Sequence, residues 1–244
     1  MKTLNRLAAM TLMFLRPALR SPLLTLLVSM LPISFIVIFQ MIGGAELSRH
    51  ALYGSLIVFS TNVGIVSLPQ LANAYKNRSL QDMFVASPVS PMLYAAGMGL
   101  SRLAWVAPGL AILIGALVYT GGLTLASVPG VLLVVVVTWF TGTMIGFSTA
   151  TLFDSPQTVG MVANMLGMLF SVLPPVYYPL ELIPPAWRWL PMVLPTTNAA
   201  QLVRVAGGLA ETTPVMLAVH WTILFAFAFA CGIFTFRKAH WRQS

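Results

Sequence analysis

Six long apolar stretches alternate with short polar ones along this chain, at Pro22–Ile42, Ala51–Ala72, Arg102–Thr120, Pro129–Phe153, Val159–Val176 and Pro214–Phe236. A run of about 20 apolar residues is long enough to cross bilayer hydrocarbon as a helix. The pattern therefore predicts an all-α membrane protein with six transmembrane helices and both termini on one side. On the opposite side the connections are short, Gly43–His50 and the Gly-containing turn Tyr119–Val128, which leaves no room for a sizeable outer domain.

Residues 1–21 have a different character. At about 100° per residue, Lys2, Asn5, Arg6, Ala9, Arg16 and Arg20 share one arc of a helix, and Leu4, Leu7, Thr11, Phe14, Leu15 and Ala18 cover the other. That two-faced pattern suits a helix lying along the inner membrane surface, with Pro17 expected to bend it and Ser21-Pro22 to begin the first span. A basic tail of no defined shape is the simpler alternative. The inner loop, residues 73–92, contains a second such pattern from Ala74 to Phe84, closed by Ser87-Pro88-Val89-Ser90-Pro91. It reads either as a short amphipathic helix that a soluble partner could contact or as a solvated loop.

Residues 174–204 hold seven of the chain's 17 prolines and two of its six tryptophans. Proline removes a backbone donor and clashes with the preceding turn, so this stretch cannot be one continuous spanning helix. Hydrocarbon does not tolerate open backbone facing lipid. The segment is therefore expected to sit at the membrane interface or to dip in as short broken helices sheltered by protein, and residues 174–212 are assigned to it as an outer re-entrant segment on the resemblance given below.

Composition agrees with this class. The 244 residues are 58% hydrophobic and 7% charged, with a mean hydropathy of +0.89, whereas a soluble domain is about one quarter charged. Cytoplasmic loops retain Lys and Arg. Lys2, Arg6, Arg16, Arg20, Lys76, Arg78, Arg237, Lys238 and Arg242 fall on the side of the termini, joined by Arg102 at the inner end of the third span; Arg49, Arg188 and Arg204 fall opposite. The expected location is thus the cytoplasmic membrane of the cell, multi-pass, with both termini inside. The formal charge of +8 serves orientation and attraction to membrane lipid, not nucleic acid. A secretory signal peptide is not expected, and the single Cys231 cannot form an intrachain disulfide.

Catalytic chemistry finds no foothold. His50, His220 and His240 are scattered, no metal-ligand spacing occurs and no paired acids share a helix face. His220 beside Trp221 reads as an interface residue, and Asp154 and Glu181 as capping or interface groups. A phosphate-binding loop needs Gly-Lys-Ser/Thr, yet none of Lys2, Lys76 and Lys238 follows a glycine. The chain is expected to have no catalytic residues, no metal and no cofactor of its own.

Pro179-Leu180-Glu181-Leu182-Ile183-Pro184, Trp187, Leu190, Leu194-Pro195-Thr196 and Arg204 together resemble the outer segment of type II ABC exporter permeases. The amphipathic start, the six spans and the inner Ser-Pro-Val-Ser follow in the family's order across essentially the whole chain. One departure is the inner loop. Relatives commonly carry several acids and a Gly-Thr pair there, and this chain has Lys76-Asn77-Arg78-Ser79 and Asp82.

The resemblance implies a non-enzymatic permease whose ATP and Mg sit on a separate nucleotide-binding ATPase present in two copies. It also implies a second permease chain, a homodimer in preference to a heterodimer. Residues 1–21 would be the connecting helix. A coupling helix would carry Tyr75, Lys76, Arg78, Leu80, Asp82 and Phe84. Pro179, Glu181, Pro184, Trp187, Pro195 and Arg204 would form the outer gate, with Glu181 and Arg204 tying its helices together. Ser34 and Gln40 on the first span and Asn164 and Ser171 on the fifth would line the pathway, or else bond helix to helix. Gly142 and Gly146, spaced as GxxxG, are assigned to packing within one subunit ahead of a dimer seam.

A charge buried at the bilayer centre costs about 2.5 to 3.5 kcal/mol on insertion scales, and no span carries one that is clearly central. The path therefore suits an amphipathic cargo, a drug, lipid or hydrophobic peptide. A glycan exporter would instead use rings such as Phe35, Phe39, Phe170, Tyr177 and Tyr178. An ATPase-independent secondary transporter or channel should show broken helices in both halves, and only one such break is present.

Overall fold

The computed structural model describes residues 2–76 and 89–238, and every regular element among them is helical. Helix α1 (Lys2–Leu19) includes Pro17 in its last turn and ends two residues later. Met10 and Phe14 are buried, Leu7, Thr11 and Ala18 half-buried, and Asn5, Arg6, Ala9 and Arg16 exposed. Leu4, on the expected apolar arc, is exposed as well. The buried line packs closely on Gly97: a Cβ added there would lie 3.0 Å from Met10 Cβ and 3.5 Å from the Phe14 ring.

Helix α2 (Pro22–Asn62) is bent at Gly44, whose φ of 67° and ψ of −158° favour glycine. The expected outer connection Gly43–His50 is thus helical on both sides of one residue. A π-helical turn follows at Val63–Ser67 and leads into α3 (Leu68–Lys76). Pro69 explains its position. A proline ring collides with the carbonyl four residues earlier, here Ile65, and the wider π turn moves that carbonyl aside.

Helix α4 (Pro91–Tyr119) begins well before the expected Arg102. Pro91 sits in its first turn, and Ser90 Oγ accepts from the Leu93 amide at 3.2 Å, a side-chain N-cap. Arg102 consequently lies inside the helix, buried. It donates to the Phe14 carbonyl at 3.2 Å and rests over the Trp105 ring at 4.9 Å, while Trp105 Nε1 donates to Thr25 Oγ1 at 2.9 Å. These contacts fasten α1 and the start of α2 to α4.

Helix α5 (Val128–Leu152) occupies the centre. Gly142 and Gly146 pack against Thr61 and Gly64 of the same chain so closely that a Cβ on either glycine would overlap the facing carbonyl. Ser60 and Thr138 hydroxyls meet beside this crossing at 3.0 Å. After α6 (Pro156–Ser171) come bends, 3-10 turns at Leu180–Leu182 and Pro185–Trp187, α7 (Trp189–Met192) and α8 (Pro195–Ala206). Helix α9 (Pro214–Lys238) packs on α5, where Ser148 and Thr235 hydroxyls lie 2.8 Å apart. The main core gathers Leu56, Ile57, Leu113, Val131, Val203 and Leu224.

Four helical stretches among the described residues are long and apolar enough to cross a membrane: Leu47–Lys76, Met92–Tyr119, Val128–Leu152 and Pro214–Arg237. The runs Pro22–Ile42 and Val159–Val176 are not among them. The second is cut short, because α6 stops at Ser171 after 16 residues, about 24 Å of helix at 1.5 Å per residue. Pro174-Pro175 lie just beyond, where helix cannot continue.

Candidate functional site

At the end of the bundle that carries α1, Tyr75 packs edge-on against Phe14, ring centroids 5.1 Å apart, and Phe14 in turn against Tyr94 at 5.5 Å. Tyr75 thus belongs to the joint between α1, α3 and α4. Lys76 Nζ lies 3.5 Å from Asp154 Oδ1, and Asn73 Nδ2 donates to the Pro156 carbonyl at 3.4 Å. The end of α3 is thereby linked to the junction that starts α6. Arg78, Leu80, Asp82 and Phe84 lie outside the described residues. Because Asp154 is fully exposed and exposed pairs contribute little, Lys76→Ala should leave the unfolding temperature unchanged; a clear drop in a melting curve would contradict this.

Beside the π turn opens a cavity of about 410 Å³, lined by Val28, Ser55, Phe59, Asn62, Gln70 and Trp105 among others. Its wall is mainly apolar with a few placed polar groups, the usual make-up of a small-molecule site. Ser55 Oγ and Asn62 Oδ1 are buried without a protein partner. Asn62 Nδ2 donates to Ser171 Oγ at 2.7 Å, and Ser171 Oγ donates to the Gly167 carbonyl at 2.6 Å. Ser171 therefore joins α6 to α2 by a helix-to-helix hydrogen bond. Ser34, Gln40 and Asn164 are exposed on the single chain. Asn164 shares its face of α6 with Met161, Met165 and Met168, which are 65 to 70% exposed. Phe39 stacks on Tyr177 at 5.6 Å.

The outer segment is built around two arginines. Arg204, 1% exposed, donates through Nη2 to the carbonyls of Pro175 at 3.2 Å, Val176 at 2.5 Å and Tyr178 at 3.1 Å. Arg188 donates to the carbonyls of Ile183 at 2.8 Å and Glu181 at 3.0 Å. The expected tie between the Arg204 and Glu181 side chains is replaced by bonds to backbone: among the described residues the ion pair present is Lys76–Asp154. Glu181 acts on Arg204 at longer range. Burial lowers the Arg204 pKa and the Glu181 charge raises it, leaving it at about 10 and the guanidinium charged at neutral pH. Proline-interrupted backbone strands carbonyls without helical partners, and a forked cation answers several at once.

Pro195 is buried and opens α8; Pro179 is half-buried; Pro184 and Trp187 are exposed. The sequence reading missed Asn198, whose Nδ2 donates to the carbonyls of Met192 at 2.6 Å and Leu194 at 2.9 Å. Its Oδ1 faces His220 Nδ1 at 2.8 Å, so that ring nitrogen carries the proton and α8 is pinned to α9. Tyr53 was missed too. Its hydroxyl bonds the Gly122 carbonyl and lies 3.5 Å from that of Gly207, drawing two outer turns to α2. For Tyr53 the signal available was a polar tip within an apolar run; Asn198 lies in the polar helix α8 and had no such contrast.

The described residues form an all-helical, largely apolar domain with a cavity beside the π turn and a proline-broken segment strapped by arginines, a membrane protein by the length and composition of its helices. The chain belongs to the ABC-2 type transporter family, whose model matches residues 7–207. Proteins of curated function give no match. The matched region takes in α1 and every element through α8, so it includes the joint between α1, α3 and α4, the cavity and both arginines. Membership makes the chain a permease, working with an ABC ATPase partner.

Proposed function

We propose that this chain is the membrane half of an ATP-driven exporter that moves an amphipathic molecule, a drug, lipid or hydrophobic peptide, outward through the cytoplasmic membrane. The observation that carries the reading is the cavity beside the π turn, apolar with Ser55, Asn62 and Gln70 as sparse polar points. In this reading Pro22–Ile42 and the α6 region complete six spans, both termini are cytoplasmic, and two identical permeases pair across the exposed face of α6. Met161, Asn164, Met165 and Met168 would then meet cargo, and unbranched methionines adapt to varied shapes. Two ATPase subunits would bind ATP and Mg and push on residues 73–92. The outer segment would be the exit gate.

The first test is affinity purification in mild detergent from the native host with mass spectrometry of what comes along, followed by ATP-driven uptake of fluorescent amphiphiles into inverted vesicles. A stoichiometric soluble ATPase and ATP-dependent uptake are expected. Repeated recovery of the chain with no ATPase would move the reading to a secondary transporter or channel. The double change Leu80→Asp, Phe84→Asp replaces two apolar residues of the loop sequence with charges. It is expected to abolish coupling, with normal membrane insertion and loss of all ATP-driven uptake; uptake that survives would remove these residues from the coupling contact.

A further inference from the structure

A second, larger cavity of about 810 Å³ opens among the outer turns, and it is of a different kind. Glu181, Arg188, Gln201, Arg204, Glu211 and His220 all line it. Helix α8 forms its inner wall, and this helix is unusual, since every residue from Pro195 to Arg204 is buried, five of them polar. Thr197, Gln201 and Arg204 follow at spacings of four and three, which puts them on one face. Arg204 Nη2 is satisfied by three carbonyls, but Nε and Nη1 are buried without a protein partner, as is Thr197 Oγ1. No protein partner engages the Gln201 amide among the described residues.

A buried cation with unfilled donors is unfavourable unless an acceptor of opposite charge reaches it. Glu181 and Glu211 are the exposed acids of its lining, and the Glu181 charge acts on Arg204 without a direct ion pair. Arg188 spends its Nε and Nη2 donors on carbonyls of its own turn. The buried cation of the cavity is Arg204, with Gln201 on the same helix as a neutral donor.

We propose that this outer cavity binds an anionic group, a phosphate or carboxylate, with Arg204 as its cation and Gln201 as its second donor. An acidic head on an amphiphile and a free anion share this chemistry. The first would make the cavity the last stop of an acidic amphiphile leaving the pathway, an extension that rests on the export reading above; binding itself does not depend on it.

The test is thermal unfolding of the full chain in neutral phosphatidylcholine nanodiscs, titrated with dodecyl phosphate, inorganic phosphate or dodecyltrimethylammonium. Dodecyl phosphate should raise the unfolding temperature saturably. Gln201→Leu should weaken its half-saturation roughly ten-fold, the loss of one hydrogen bond to a charged group. Arg204→Gln should abolish the shift; should that variant not fold, Gln201→Leu decides alone. A matching response to inorganic phosphate identifies a free anion as the ligand, and a response to dodecyl phosphate alone identifies an amphiphile. An equal shift with dodecyltrimethylammonium, no shift with either phosphate, or an unchanged half-saturation in Gln201→Leu overturns the proposal. Because the readout needs neither ATP nor a partner, failure here leaves the export reading standing, and loss of ATP-driven uptake leaves the binding result standing.

Discussion

Gly146→Val is expected to yield a chain that reaches the membrane but does not hold its native packing, seen as aggregation on size exclusion in mild detergent. A Cβ at Gly146 would overlap the Gly64 carbonyl, one at Gly142 the Thr61 carbonyl, and one at Gly64 the backbone of Gly142. The obstacle in each case is main chain, which cannot rotate away as a side-chain tip does. Overpacking a core against side chains already costs about 1 to 3 kcal/mol, against a total stability on the order of 5 to 15 kcal/mol. Here the obstacle is backbone and cannot repack, so the two helices must move apart, which also strains the Ser60–Thr138 hydroxyl pair beside the crossing. Gly115→Val supplies the control, since a Cβ at Gly115 meets nothing within 4 Å. Equal behaviour of the two variants would disprove the close crossing.

Arg204→Met is expected to detach residues 174–178 from α8 and to end transport while the inner half of the molecule stays folded. Methionine fills much of the volume but offers no donor, so the carbonyls of Pro175, Val176 and Tyr178 lose a shared partner together. Removing the buried charge returns some desolvation energy, yet each buried carbonyl left without a partner costs about 1 to 3 kcal/mol. Arg204→Lys should be intermediate, because an ammonium keeps the charge but cannot fork. Glu181→Ala should be mild, since that carboxylate makes no direct bond to Arg204. Limited proteolysis at residues 174–188 reads the detachment directly. Protection equal to the parent in Arg204→Met would show that the segment is held by something else.

Periodicity made much of this fold legible, and contacts between distant residues decided the rest. The two-faced pattern of residues 2–19 gives α1 outright, and Phe14 on the apolar arc is its most buried residue. Which apolar residues stay outside, such as Leu4, depends on which of them a neighbouring helix meets, as Gly97 meets Met10 and Phe14, and no local pattern carries that. The GxxxG spacing of Gly142 and Gly146 is visible in the sequence, and its partner proves to be the chain's own Thr61–Gly64. Arg102 misleads because a charge looks like the edge of a span, yet Ser90-Pro91 is the true start and Arg102 is satisfied from α1. In the candidate site, Arg204 was singled out through the family resemblance of the segment that it follows. Its partners were not, since they are carbonyls with no sequence signature. Asn62 and Ser171 stand 109 positions apart and meet only through the packing of α6 on α2.

Helix α6 is fastened to the same neighbour at both ends, by Asn62–Ser171 above and by Asn73–Pro156 and Lys76–Asp154 below. These contacts hold α6 along α2 and α3, the hydrogen bonds carrying more of the hold than the exposed ion pair. Were an ATPase to push on the lower end of α3, as proposed above, they would pass the displacement on to α6. Two places interrupt regular helix and leave room for bending, the left-handed Gly44 in α2 and the helix-free residues 172–178 that Arg204 holds by their carbonyls.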